Sequence, residues 1–188
     1  DVGGGMGVNL SVISLMDIKA EYHLIDRFDE YIEGTIMGKF DNSALNRFDK
    51  YKINVKSLDI IKNPVLPYED SYFDFVTNID VIEHLPTNPL ILFKEIKRVT
   101  KKDGYFLLSS PNLFGISELM KIMKRKHPYM DFDNWIKKEY YSHFREYTLK
   151  EHIKLLELSG FHIINKFLSA DSYNKKYYPG ISKINYLK

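Results

Sequence analysis

The first seven residues, DVGGGMG, place Asp1 two positions ahead of a turn that carries Gly3, Gly5 and Gly7 at alternate positions. Glycines cluster like this where the backbone adopts positive φ or must let a ligand come close. The dinucleotide fingerprint G-x-G-x-x-G, counted from Gly3 and Gly5, asks for a glycine at the position held by Val8. A phosphate would want backbone N–H groups with no carboxylate nearby, so Asp1 favours a cationic ligand. Both points weigh against a nicotinamide-dependent Rossmann oxidoreductase, which stays as the alternative enzyme class. Two later acids extend the pattern. Asp26 ends the apolar run YHLID, a place from which a carboxylate can accept from both hydroxyls of a ribose. Asp59, near the end of KINVKSLDI, could accept from an exocyclic amine of adenine, with Ile60 offering apolar contact. A nucleoside that also carries positive charge is S-adenosylmethionine.

These acids need elements that bring strand ends together. Val8, Val12, Ile13, Leu15 and Met16 follow the glycines with helical spacing, and residues 22–26 read as a short buried strand. Residues 31–48 have a weak pattern, predicting an irregular helix or a loop. Strands are predicted over 52–60 and 73–78, and an amphipathic helix over 88–99 with Leu92, Ile96 and Val99 on one face. KKDG should stop that helix before the strand YFLLSS. GISELMKIMKRKH reads as a basic amphipathic helix, 150–159 as a helix closed by Gly160, and FHIINKFL as a strand. Alternation of this kind predicts an α/β domain with a mostly parallel central sheet and helices on both faces. Ligands of such sheets bind at the carboxyl ends of strands near the switch point, where the glycine turn would lie.

Composition sets the outer limits. A chain of 188 residues fits one domain, 1–188, and 44% apolar content can build its core. Lys+Arg of 27 against Asp+Glu of 25 lacks the basic excess of a nucleic-acid binder, so no nucleic-acid partner is expected. The absence of cysteine excludes a thiol nucleophile and thiolate metal sites. No segment has the length and hydropathy of a membrane span or signal peptide, which fits a cytoplasmic protein. The sequence begins at Asp1 with no strand ahead of the turn, so residues before Asp1 are expected in the natural protein.

DVGGGMG, LPYEDSYFDFVTNIDVIEHL, LFKEIKRVTKKDGYFLLSSPN and HFREYTLKEHIKLLELSGF resemble successive blocks of class I S-adenosylmethionine-dependent methyltransferases acting on small molecules and glycans. The blocks span most of residues 1–168. The resemblance implies a Rossmann-like, seven-stranded sheet in which Asp1 and the glycines hold the methionine part, Asp26 the ribose, and Asp59 with Ile60 the adenine. Asn78 matches a position that contacts the methionine moiety. Arg27 stands where an apolar residue often packs on adenine, and a guanidinium can stack there instead. TKKDG replaces a Leu-Lys-Pro-Gly-Gly turn. The strand that should lead into Asp1 is missing, and no clear final strand precedes Lys188.

Transfer of a methyl group from a sulfonium to oxygen or nitrogen expels a neutral thioether, leaving S-adenosylhomocysteine. Alignment and exclusion of water then dominate catalysis, with effective molarities worth roughly 7 to 11 kcal/mol. An alcohol acceptor would also gain from a general base, for which His84 in IEHL and His143 in SHFREY are the catalytic candidates and Asp80 a weaker one. Glu83 and His84 admit three readings: acid/base work, a metal site, or structural hydrogen bonding. Two adjacent residues are thin for a metal, and none is expected. Residues 113–141 exceed a minimal connection and are expected to cover the acceptor. Lys121, Lys124, Arg125, Lys126 and His127 lie opposite Leu119, Met120, Ile122 and Met123, suiting a phosphorylated acceptor or an anionic membrane surface at 119–127. The insertion resembles that of methyltransferases found with glycan-assembly enzymes, making a sugar or nucleotide sugar the first expectation. A non-catalytic module that binds the cofactor is the third class.

Overall fold

A computed structural model describes residues 1–16, 18–28, 42–128, 132–137 and 143–168. Its hub is the N-terminal segment 1–3. Val2 N donates to Thr77 O at 2.9 Å, Gly3 N to Ile25 O at 2.7 Å and Ile25 N to Asp1 O at 3.0 Å, so the segment is bonded to a strand on either side. On one side lie β1 (Tyr22–Asp26) and β2 (Ile53–Ser57), paired in parallel from Tyr22↔Ile53 to Asp26↔Ser57. On the other lie β3 (Phe73–Ile79) and β4 (Thr100–Ser109), also parallel. The order across the molecule is β2, β1, residues 1–3, β3, β4. Strand order reverses at the hub, which puts the switch point of an open α/β sheet beside the glycine turn.

Six helices are described: α1 (Val8–Ser14), α2 (Asn42–Lys50), α3 (Leu90–Val99), α4 (Ile116–Met123), α5 (Phe132–Lys137) and α6 (Leu149–Leu158). Neighbouring residues of a strand face opposite ways, and β1 uses this to serve two cores. Leu24 packs with Leu10, Phe48 and Ile53 under α1 and α2. Ile25 joins Val2, Val76, Phe93 and Ile96 on the face that α3 covers. Helix α3 buries Leu92, Phe93, Ile96 and Val99, the spacing of one helical face, and each such side chain contributes about 1.5–3 kcal/mol. Helices on both faces match the α/β expectation.

Three local expectations are corrected. KKDG does not separate α3 from the next strand, because β4 begins at Thr100 immediately after the helix. Phe73 pairs with Thr100 and Phe75 with Tyr105, so a register shift absorbs the intervening residues and pairing resumes beyond them. FHIINKFL forms no strand: no described strand pairs with it, and Ile164, Phe167 and Leu168 are exposed. A run with high β-propensity needs a neighbouring edge to become a strand. The weak stretch 31–48 contains the first part of a regular helix, α2, while residues 29–41 lie outside the described part. Four strands are described where the resemblance implied seven. Within 113–141, α4 and α5 are described, and 129–131 and 138–141 lie outside. No helix among the described residues is long and apolar enough to cross a membrane.

Candidate active site

The glycine turn leaves residues 1–3 for α1 through three left-handed positions, Gly3 (φ 74°), Gly5 (φ 53°) and Gly7 (φ 69°). A Cβ on Gly3 would stand 2.6 Å from Val81 Cγ2, and one on Gly7 2.6 Å from Phe48 Cε1. Space and backbone conformation therefore both require glycine at these two positions. Arg47 of α2 braces the turn by donating from Nη1 to Met6 O at 2.8 Å. Asp1 lies beside it. Its Oδ1 accepts from Thr77 Oγ1 at 2.9 Å, while its Oδ2 is buried with no hydrogen-bond partner. Such an oxygen is costly unless a donor or a cation reaches it. Asn78 is fully buried below the turn, where Nδ2 donates to Val2 O at 2.9 Å and Oδ1 has no hydrogen-bond partner.

Asp26, at the carboxyl end of β1, reaches back to the turn. Gly5 N donates to its Oδ2 and Arg27 N to its Oδ1, both at 2.6 Å. Burial pushes the carboxyl above its usual range despite these donors and the Arg27 charge. Arg27 turns to Asp59, with Nη1 2.9 Å from Oδ2. Asp59 Oδ1 also accepts from Ile61 N and Lys62 N at 3.0 and 3.1 Å. Desolvation opposes its charge, but the Lys62 N–H, the Arg27 guanidinium and the Ile61 N–H prevail and hold the carboxyl low. Both Asp59 oxygens thus already have donors, and an adenine amine would have to share them. Ile60 packs half-buried against the core that includes Ile25 and Val76.

A second group of polar side chains lies beyond β3, after Val81 has packed against Gly3. Residues Ile82–His84 form a 3-10 turn in which Glu83 is fully buried. The segment 143–147 lies across this turn: Phe144 N donates to Glu83 O at 2.7 Å, and Leu113 N to Tyr147 O at 3.0 Å. This places His143 against His84, with ring centroids 4.8 Å apart and planes near perpendicular. His143 Nδ1 lies 3.0 Å from Glu146 Oε1. That hydrogen bond raises the His143 pKa, aided by the charge of Glu83, against desolvation. Neither carboxylate oxygen of Glu83 has a hydrogen-bond partner, nor does Glu146 Oε2. Burial lifts the Glu83 pKa to about 7, with Asp80 adding to the rise.

The glycines, Asp1, Asp26 and Asn78 therefore meet at one place, with Arg27, Asp59 and Ile60 along the β1 and β2 ends. His84 and His143 meet at another. Sequence reasoning passed over Thr77, which holds Asp1, and Glu146, which holds His143. It weighed Glu83 only as a neighbour of His84. The short separation of His143 and Glu146 within HFRE was the available signal for that pair.

A family profile described as a methyltransferase domain matches residues 1–166, and the chain belongs to this family. No curated protein matches the sequence significantly. Among solved structures, a SAM-dependent methyltransferase from Archaeoglobus fulgidus aligns over 100% of this chain and 69% of its own, with TM-score 0.58 and 19% identity. A SAM-dependent methyltransferase from Thermotoga maritima aligns with TM-score 0.54 and 19% identity over 86% of this chain, which spans only 62% of that protein. The [4+2]-cyclase SpnF also aligns, with TM-score 0.57 and 16% identity, over 88% of this chain and 50% of its own. At these identities the likeness establishes the Rossmann-like fold, and the cyclase illustrates that this fold serves more than one reaction.

Proposed function

We propose that the chain is an S-adenosylmethionine-dependent methyltransferase acting on a small-molecule acceptor. The observation that carries this reading is the buried Asp1 Oδ2, which has no hydrogen-bond partner and lies beside a turn of left-handed glycines, a place suited to a cationic group. Asp1 with Gly3, Gly5 and Gly7 would hold the methionine portion, and Asn78 would support it by fixing the turn. Asp26 would take the ribose hydroxyls with the acceptor capacity left after Gly5 and Arg27. Ile60, Arg27 and Asp59 would border the adenine. The bound cofactor supplies an electrophilic methyl group on a leaving group that needs no proton.

The chain's own residues then have to orient the acceptor and keep water out. His84 and His143 form the polar wall on the acceptor side, and Glu146 orients His143. The insertion 113–141 would cover the acceptor. Exposed Phe114, Leu119 and Met120, next to the basic run 121–127, suit a sugar or nucleotide sugar with apolar and anionic parts, and the same face suits contact with an anionic membrane. Calorimetric titration of the chain with S-adenosylmethionine and S-adenosylhomocysteine tests the reading. One site binding both ligands is expected. Absence of binding, or binding of NAD instead, overturns it, and binding without turnover over a panel of sugar and phenolic acceptors favours a cofactor-binding module.

A further inference from the structure

Beyond methyl transfer, we infer that Glu83, His84 and His143 bind a divalent transition metal ion of the zinc class, with Glu146 as the residue that orients His143. One ligand atom from each of Glu83, His84 and His143 lies within 4.8 Å of the others. A tetrahedral zinc site places ligand atoms about 3.4 Å apart around an ion about 2.1 Å away, so ligand atoms that lie within 4.8 Å of one another have to draw together by no more than about 1.4 Å. An independent observation points to a ligand at this place. Glu83 is fully buried, and neither of its carboxylate oxygens has a hydrogen-bond partner. A buried carboxylate in that state is expensive, and a cation coordinated by it removes the cost.

The donor set narrows the choice of ion. Two imidazoles and one carboxylate suit zinc, iron, cobalt or nickel, whereas magnesium and calcium prefer oxygen ligands alone. The Glu146 contact has the form that metal sites use. A ligating histidine usually gives its other ring N–H to a carboxylate, which fixes its tautomer and aims the free nitrogen at the ion. His143 Nδ1 lies 3.0 Å from Glu146 Oε1, which leaves Nε2 for coordination. Three protein ligands leave a fourth position open on the metal, the arrangement of a catalytic rather than a structural site. The two adjacent residues Glu83 and His84 offered too few ligands in the sequence, and the segment 143–147 brings the third.

Tag-free protein, stripped with a chelator and checked for folding by circular dichroism, is titrated with Zn²⁺ by calorimetry and with Co²⁺ by visible absorption. One Zn²⁺ per chain is expected, together with Co²⁺ bands of a four- or five-coordinate site. Glu83→Gln and His143→Ala should each weaken Zn²⁺ binding at least about tenfold, and Glu146→Gln about 10- to 100-fold. Should Glu83→Gln fail to fold, His143→Ala decides alone, since that side chain is partly exposed at the turn. No stoichiometric binding by the wild type, or wild-type affinity in His143→Ala, overturns the site. S-adenosylmethionine titrated into the same metal-free samples reports separately on the methyl-transfer reading.

Discussion

The two most demanding residues of the site are demanding for different reasons. Gly7 combines a left-handed backbone with a Cβ position only 2.6 Å from Phe48 Cε1, so it is fixed by the fold before any ligand arrives. Gly7→Ala is expected to cost about 1–3 kcal/mol in urea denaturation, and a loss near zero would mean that Phe48 and the backbone relax freely. Asp26 is fixed by what it holds. Asp26→Asn keeps one oxygen for the turn but removes the charge that the proposed ribose site would use, and hydrogen bonds to charged groups contribute about 1.5–3 kcal/mol. S-adenosylmethionine affinity should fall about 10- to 100-fold by calorimetry, and an unchanged Kd would remove Asp26 from the ribose site. The positions of both residues were legible in the sequence because they follow from local facts, a glycine register and an acid at a strand end. Glu83 and Glu146 were not legible in the same way. What matters about them is a meeting of residues 83 and 143–147, which hydrogen bonds from Phe144 N and Arg145 N to Glu83 O create only in the folded chain.

Elements divide along the same line. Helix α6 was read from the sequence with Gly160 as its local stop signal, and Gly160 has φ 88°; the structure adds a capping box in which Thr148 accepts from Glu151 N and Glu151 accepts from Thr148 N. Helix α3 was equally plain, since Leu92, Ile96 and Val99 keep helical spacing whatever lies opposite. The start of β4 and the fate of 161–168 were misread, because both depend on partners that the local pattern does not contain. Pairing of Phe73 with Thr100 draws the strand back to the helix end, and 161–168 has no described strand beside it. Where local signals decide, a local change has a predictable size. Thr148→Ala removes the cap of α6 and should cost about 1 kcal/mol in thermal or urea unfolding. Helix α6 packs on α3 through the core rather than at the glycine turn, so S-adenosylmethionine affinity should stay at the wild-type value. A large affinity loss would instead tie α6 to the cofactor site.

At the scale of the molecule, the carboxyl ends of the strands are joined to α6 by a polar link whose charge state matters to stability. His152 of α6 lies 2.9 Å by its Nε2 from Ser110 Oγ, just past the end of β4, and its ring stacks on Tyr147 with centroids 5.5 Å apart. Desolvation lowers its pKa below the usual histidine value of 6.5, although the neighbouring Glu151 charge works the other way. The folded chain therefore keeps His152 neutral at a pH where the unfolded chain has begun to protonate it. Since the unfolded state then binds more protons, this group's contribution to stability is full above about pH 7.5 and declines as pH falls through 6.5, levelling off below the folded pKa. The slope from one such group cannot exceed about 1.4 kcal/mol per pH unit. Buried Glu83, whose pKa is raised to about 7, acts in the opposite sense, as do His143 and Asp26, whose pKa values are also raised, so the total pH profile mixes several groups. A difference measurement isolates His152. Urea unfolding of the wild type and of His152→Gln between pH 5.5 and 8 should give a stability gap that is constant above pH 7.5 and shifts against the wild type on acidification. A gap independent of pH would mean that His152 titrates alike in both states, and that burial does not favour its neutral form.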